Sequence, residues 1–162
     1  MKVEERCTRD VSIDCNVLEH SSNPGVPQFE SSVRVMMWMA KSETLIWVLD
    51  DQGKAAPDPS TSVLFSEYGR RLAPQTLAAT TLVRYLQNNQ VSFSRRPDRT
   101  TLKKLREIVP NNKCDQAVLG AALGSIDKVL VSNDWSDFNL AVRVEVEDLF
   151  GVAVLDSDEA IA

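Results

Sequence analysis

The chain has 162 residues, of which 43% are hydrophobic and 25% charged, and its formal net charge is -5. This is the profile of one globular domain with a core of its own, and it excludes a disordered or collagen-like chain. The longest apolar run falls far short of the ~20 residues a membrane span needs, and the charged start, residues 1–10, lacks the apolar stretch of a secretory signal, so a cytoplasmic protein is expected.

Val11-Ser12-Ile13 is a short β-prone run leading into Asp14. Asn16-Val17-Leu18 follows, then a Ser/Asn/Pro-rich loop that holds His20. Residues 28–41 place Phe29, Val33, Met36, Met37 and Ala40 at i, i+4, i+7, i+8 and i+11, which predicts a helix buried on that face. Residues 44–49 form a continuous apolar run of strand length, closed by a turn at residues 50–53. Residues 54–62, with Pro57 and Pro59, read as a loop inserted into the domain. Helices are predicted over 63–73, which contains Glu67, and over 76–88, with a short strand at 91–93. A helix over 99–109 turns Leu102, Leu105 and Val109 inward. The Ala/Gly-rich helix over 113–123 suits close packing on a sheet. A buried strand over 128–132, a helix over 138–150 and a last strand over 152–155 complete the chain.

Strands alternate with helices throughout, and the strands are apolar on both faces. That pattern predicts a three-layer α/β/α fold with a central, mostly parallel sheet, as a single domain over residues 1–162.

Cysteine and histidine usage narrows the chemistry. The three cysteines, Cys7, Cys15 and Cys114, are odd in number and widely spaced, which argues against a zinc site or a disulfide framework and for free, partly buried thiols. His20 is the sole histidine, and its polar loop predicts a solvated residue rather than a catalyst. Acidic residues are the remaining candidates.

Asp14 and Asp134 each lie just past the carboxyl end of a buried strand, the edge where open α/β sheets bind ligands. Asp115 opens the Ala/Gly-rich helix, Glu67 sits inside a helix, and Asp137 follows Asp134 by three residues. Singly, each has an ordinary structural reading, as a helix-start partner, a turn residue or a solvated helix face. Asp14 is the exception, since it interrupts the apolar run of Ile-Asp-Cys-Asn-Val-Leu with no turn composition beside it.

Taken together the motifs resemble the PIN-domain superfamily of metal-dependent nucleases. The matching residues are Val11 to Leu18 with Asp14, Ser66-Glu67-Tyr68, Asp115 at the head of Gln116-Ala117-Val118-Leu119-Gly120-Ala121-Ala122, and Val129 to Phe138 with Asp134 and Asp137. Gly151 to Leu155 is similar to the family's final strand, so the likeness spans about residues 11–158. Cys15 stands where the family often has Thr or Ser. The resemblance implies that Asp14, Glu67, Asp115 and Asp134 form the catalytic set. Asp137 joins Asp14, Asp115 and Asp134 as a metal ligand, Asn16 positions Asp14 or substrate, and Ser132 supports Asp134. Clustered carboxylates repel unless a cation lies between them, and an all-oxygen set suits Mg²⁺ or Mn²⁺. The implied reaction is phosphodiester hydrolysis, chiefly of RNA, with single-stranded DNA as a further substrate. Small bacterial members are mostly toxins of toxin–antitoxin pairs, which implies an antitoxin partner and a homodimer. The alternative is a PIN-like binding or regulatory module with little or no catalysis.

A phosphate-bearing substrate needs positive charge beside these acids. Residues 95–106 carry six basic side chains and one acid, a local charge of +5. Arg99, Lys103 and Arg106 share one helix face, and with Arg95 and Arg96 they are the candidate grip on a nucleic-acid backbone.

Overall fold

A computed structural model describes residues 2–51 and 59–162. Its sheet is five-stranded and all-parallel, in the order β3-β2-β1-β4-β5. The strands are β1 (Asp10–Ile13), β2 (Ile46–Asp50), β3 (Val91–Ser94), β4 (Val129–Val131) and β5 (Ala153–Leu155). The helices are α1 (Val3–Arg6), α2 (Cys15–His20), α3 (Phe29–Lys41), α4 (Val63–Arg71), α5 (Leu77–Gln87), α6 (Arg99–Ile108), α7 (Lys113–Gly124), α8 (Leu140–Phe150) and α9 (Ser157–Ile161). This is the predicted α/β fold, with helical layers about a central sheet. Among the described residues no helix is long and apolar enough to cross a membrane.

A parallel sheet covered on both faces needs strands without a polar side. β1 and β4 are buried at every position. The polar exceptions are bonded: Ser12 donates to the Val48 carbonyl at 3.2 Å, and Asp10 accepts the amides of Ile126 and Asp127, each at 2.8 Å. The Ala/Gly-rich α7 crosses one face and touches β1 to β4, because its small side chains admit a close approach. α6 packs against it, while α3 gathers α2, α5 and α9.

Several predicted elements shift. The buried face of α3 is Ser31, Ser32, Val35, Met36 and Met39, leaving Met37 43% exposed. Two serines take core positions there because their hydroxyls find a partner in Ser157, Ser31 at 2.7 Å and Ser32 at 3.4 Å. Asp50 is not a turn residue but the buried end of β2. Its carboxylate accepts from Ser62 Oγ (2.8 Å), the Val63 amide (2.9 Å) and the Leu64 amide (2.8 Å), so it satisfies the start of α4. Asp51 is buried and accepts from Thr61, while residues 52–53 of the predicted turn and 54–58 of the predicted loop lie outside the described residues. α8 starts at Leu140, with the Asn139 side chain capping it. The short α1 and α9 add to the predicted elements.

β1 leads outward to β2 and β3 on one side, and the chain then returns to β4 and β5 on the other. The topological switch point is therefore between β1 and β4. The pairing of Asp10 with Ile46 and of Ile13 with Val131, continued along the strands, sets Asp14 level with Asp50 and Ser132. Asp50 is in turn level with Ser94. A polar row thus runs along the carboxyl edge.

Candidate functional site

Asp14 follows β1 directly, with its amide bonded to the Val131 carbonyl at 2.9 Å. Its carboxylate oxygen Oδ2 accepts from Ser132 Oγ at 2.6 Å and from Asn16 Nδ2 at 2.9 Å. Burial pushes the Asp14 carboxyl up, and the Ser132 bond opposes that shift. Ser132 also accepts the Asp134 amide at 3.1 Å, so one hydroxyl ties the ends of β1 and β4 together. Asn16 Oδ1 accepts the Asn133 amide at 3.0 Å.

Asp115, Asp134 and Asp137 each offer a carboxylate oxygen to a group whose members lie within 4.8 Å of one another. Asp115 stands in the first turn of α7. It is 3% exposed, and its Oδ2 is buried without a hydrogen-bond partner. Burial first, then the Asp137 carboxyl beside it and the charges of Asp14, Asp134 and Asp137, raises its pKa to about 9. Asp134 behaves oppositely. Burial works against its charge, but its Oδ1 accepts from Ser136 Oγ (2.6 Å) and from the Ser136 (2.9 Å) and Asp137 (3.1 Å) amides, and these donors hold it below the usual carboxylate range. Its other oxygen accepts nothing from the described residues.

Glu67 is buried on α4, as its helical position allowed, but it lies outside this group. Its carboxylate pairs with Arg70 and with Arg71, the latter at 3.1 Å. Arg71 reaches Glu19 on α2 as well, through Nε at 2.8 Å. The structure therefore brings Asp115, Asp134 and Asp137 together, sets Asp14 beside them, and gives Glu67 to two arginines.

Some residues that shape the site carried no signal in the sequence. Arg143 on α8 is 6% exposed and bound from several sides. Nε donates to the Phe138 carbonyl at 2.6 Å, Nη2 to Ser132 at 3.2 Å and Nη1 to Val154 at 3.3 Å, and the guanidinium lies 3.8 Å over the Trp135 ring. It clamps both ends of the segment that carries Asp134 and Asp137. Asn133 is a second hub: Nδ2 donates to Ser32 Oγ at 3.0 Å and Oδ1 accepts the Ser157 amide at 2.9 Å. Its Nδ2 also lies 3.1 Å from His20 Nδ1, so His20 is a half-buried residue ending α2 and not a solvated loop residue. Burial lowers its pKa. Cys7 and Cys15 are buried, Cys114 is half-buried, and all three are free thiols.

The basic candidates lie beyond β3. Arg95, Arg96 and Arg106, with Lys113, line a cavity of about 350 Å³ over the ends of β2 and β3. Arg99 and Lys103 line a wider groove beside it, which Arg96 and Arg106 share. Acidic centre and basic cavity thus occupy one edge of the sheet, over different strand pairs.

No family model, curated protein or solved structure matches the chain. The chemistry of the site therefore rests on its own residues. A buried carboxylate oxygen with no donor, beside two further carboxylates and with Asp14 adjacent, fits a hard divalent cation held by oxygen ligands.

Proposed function

We propose that this chain is a divalent-metal-dependent nuclease that hydrolyses RNA phosphodiester bonds at the β1–β4 switch point, as its resemblance to PIN domains implies. The single observation that carries the reading is the orphaned Oδ2 of Asp115 inside a group of three carboxylates. Such an oxygen costs about 1–3 kcal/mol when buried unbonded, and a cation would recover that cost.

In this reading Asp115, Asp134 and Asp137 hold Mg²⁺ or Mn²⁺, with Asp14 completing the set. A bound cation of this kind supplies Lewis-acid polarisation of the phosphodiester and a nucleophilic water at neutral pH. The remaining work belongs to the chain. Ser132 and Asn16 orient Asp14 and oppose the upward push of burial on its carboxyl. The Ser136 and Asp137 amides hold Asp134 charged. Arg95, Arg96, Arg99, Lys103 and Arg106 attract the phosphate backbone toward an edge whose own charge is negative. The setting that goes with this chemistry is a cytoplasmic toxin, covered by an antitoxin and active as a homodimer.

A specific observation favours the second reading, a PIN-like binding or regulatory module. Glu67 is held by Arg70 and Arg71 and does not join the acidic group.

Incubation of a labelled RNA and single-stranded DNA panel with Mn²⁺ separates the two. The nuclease reading expects cleavage by the wild type and none by Asp14→Asn. An intact panel under every divalent metal, or equal cleavage by the variant, supports the module instead.

A further inference from the structure

Trp135 is the one large aromatic side chain left exposed among the described residues, at 43%. It takes no part in the hydrophobic core. A single exposed apolar side chain is ordinary on a protein surface. What sets Trp135 apart is what lies beneath it and what stands on either side. The Arg143 guanidinium covers one face of the indole, 3.8 Å from the ring centroid. That guanidinium is itself fixed by the carbonyls of Phe138, Ser132 and Val154. The backbone on both sides of Trp135 is pinned as well, the Asp134 amide to Ser132 at 3.1 Å and the Ser136 amide to Asp134 at 2.9 Å. The indole is thus a flat apolar surface ordered before anything binds, so the protein loses little entropy when a ligand stacks on it.

The charges around the ring select the ligand. Arg143 closes one face, so stacking takes place on the opposite one. A cation there would meet the Arg143 charge through the ring, which disfavours a lysine or arginine side chain. A carboxylate would meet the acidic centre, because Trp135 lies between Asp134 and Asp137 in the chain. A neutral flat ring suits both, and a nucleobase is such a ring carried next to a phosphate. Consecutive Cα atoms are about 3.8 Å apart, so the indole stands beside Asp134, one of the carboxylates proposed to hold the cation that draws that phosphate.

We propose that Trp135 is a stacking platform for one nucleobase, beside the phosphate that the acidic centre binds, and that the site favours purines over pyrimidines. The position of the base relative to the cleaved bond rests on the nuclease reading; the stacking does not. The purine preference follows from stacking strength, since a fused two-ring base covers more of the indole than a single ring does.

The test is the intrinsic fluorescence of the full chain in Mg²⁺, titrated with adenosine monophosphate. Trp47 is buried and Trp38 half-buried, so Trp135 is the tryptophan a ligand can reach. Adenosine monophosphate should quench the emission to saturation, and ribose 5-phosphate, which has no base, should leave it unchanged. Equilibrium dialysis then gives affinities. Uridine monophosphate should bind at least about threefold more weakly than adenosine monophosphate. Trp135→Phe keeps an aromatic face and should bind adenosine monophosphate within about threefold of the wild type. Trp135→Leu still covers Arg143 but offers no π-face, and should bind it about tenfold more weakly. Absence of quenching by every nucleotide overturns the platform, in favour of a protein contact at Trp135. Equal binding by the Phe and Leu variants overturns it too, as does ribose 5-phosphate or uridine monophosphate binding as tightly as adenosine monophosphate. None of these ligands holds a phosphodiester bond, so cleavage plays no part. A chain that passes here and leaves the RNA panel intact sinks the nuclease reading alone, and one that cleaves the panel and fails here loses the platform alone.

Discussion

Ser132 donates a 2.6 Å hydrogen bond to Asp14 across a sequence separation of 118 residues. The bond joins the two strands that flank the switch point, and it acts on an acid that is as deeply buried as Asp115. Ser132→Ala leaves that carboxylate without one donor and the Asp134 amide without its acceptor. The expected cost is about 1–3 kcal/mol in chemical denaturation. Divalent-metal affinity should fall about 10–100-fold, as it does when a group that orients a ligand is removed. Calorimetric titration with Mn²⁺ reads this directly. Loss of the Ser132 bond also lets burial push Asp14 further up, so half-saturation with metal should move to higher pH.

Arg143 should matter to the acids without touching them. Arg143→Met removes the donors to Ser132, Phe138 and Val154 and the cation over Trp135. About 3 kcal/mol or more of stability should be lost, since several buried carbonyls lose their donors together. Hydrogen exchange localises the effect: the amides of residues 132–138 should lose protection before those of β1 or α7. Arg143→Lys restores charge but not the fork, and should recover only a part.

Asp115 makes metal-free stability fall as pH rises. Its folded pKa is raised to about 9 from 3.8, so between those values the folded chain keeps a proton that the unfolded chain has released. The unfolded state binds fewer protons, and unfolding free energy therefore declines with pH through that window. Asp14, also raised, acts in the same sense. The lowered His20 acts in the opposite sense, but only below its ordinary value of 6.5, so pH 7 and pH 8 are the informative pair. Urea midpoints should drop between them in the wild type and drop less in Asp115→Asn. Mn²⁺ should remove the decline, because it replaces the proton.

Asp50 is predicted to be structural. Asp50→Ala strips the start of α4 of its acceptor and should cost about 1–3 kcal/mol in thermal or urea unfolding. Metal affinity should change far less than it does in Ser132→Ala.

Arg99 and Lys103, in the outer groove, should act through phosphate alone. Each Ala substitution should weaken RNA binding equally for all sequences and reduce the slope of log affinity against log salt by about 1.

The parts of this structure carried by local pattern were legible in the sequence. The apolar runs of β2 and β4, the Ala/Gly helix α7 and the acids at strand ends all announce themselves within a few residues. What was not legible depends on distant partners. The buried face of α3 includes Ser31 and Ser32, which no hydrophobic period selects, because Ser157 lies opposite in the fold. Asp50 reads as a turn until Ser62 to Leu64 are brought to it. Arg143 reads as a surface residue of an amphipathic helix, since its acceptors come from β5 and from the segment after β4. Glu67 lies three and four residues before Arg70 and Arg71, so those pairs are local to α4, and what required the fold is that Arg71 also reaches Glu19 on α2.

The most direct test is Mn²⁺ binding followed by electron paramagnetic resonance on the wild type, Asp115→Asn and Asp134→Asn, each shown by circular dichroism to be folded. The arrangement of Asp115, Asp134 and Asp137 predicts saturable binding by the wild type and loss of it in both variants. A folded wild type that binds no Mn²⁺, or variants that bind it as well as the wild type, contradicts the metal centre and the nuclease built upon it.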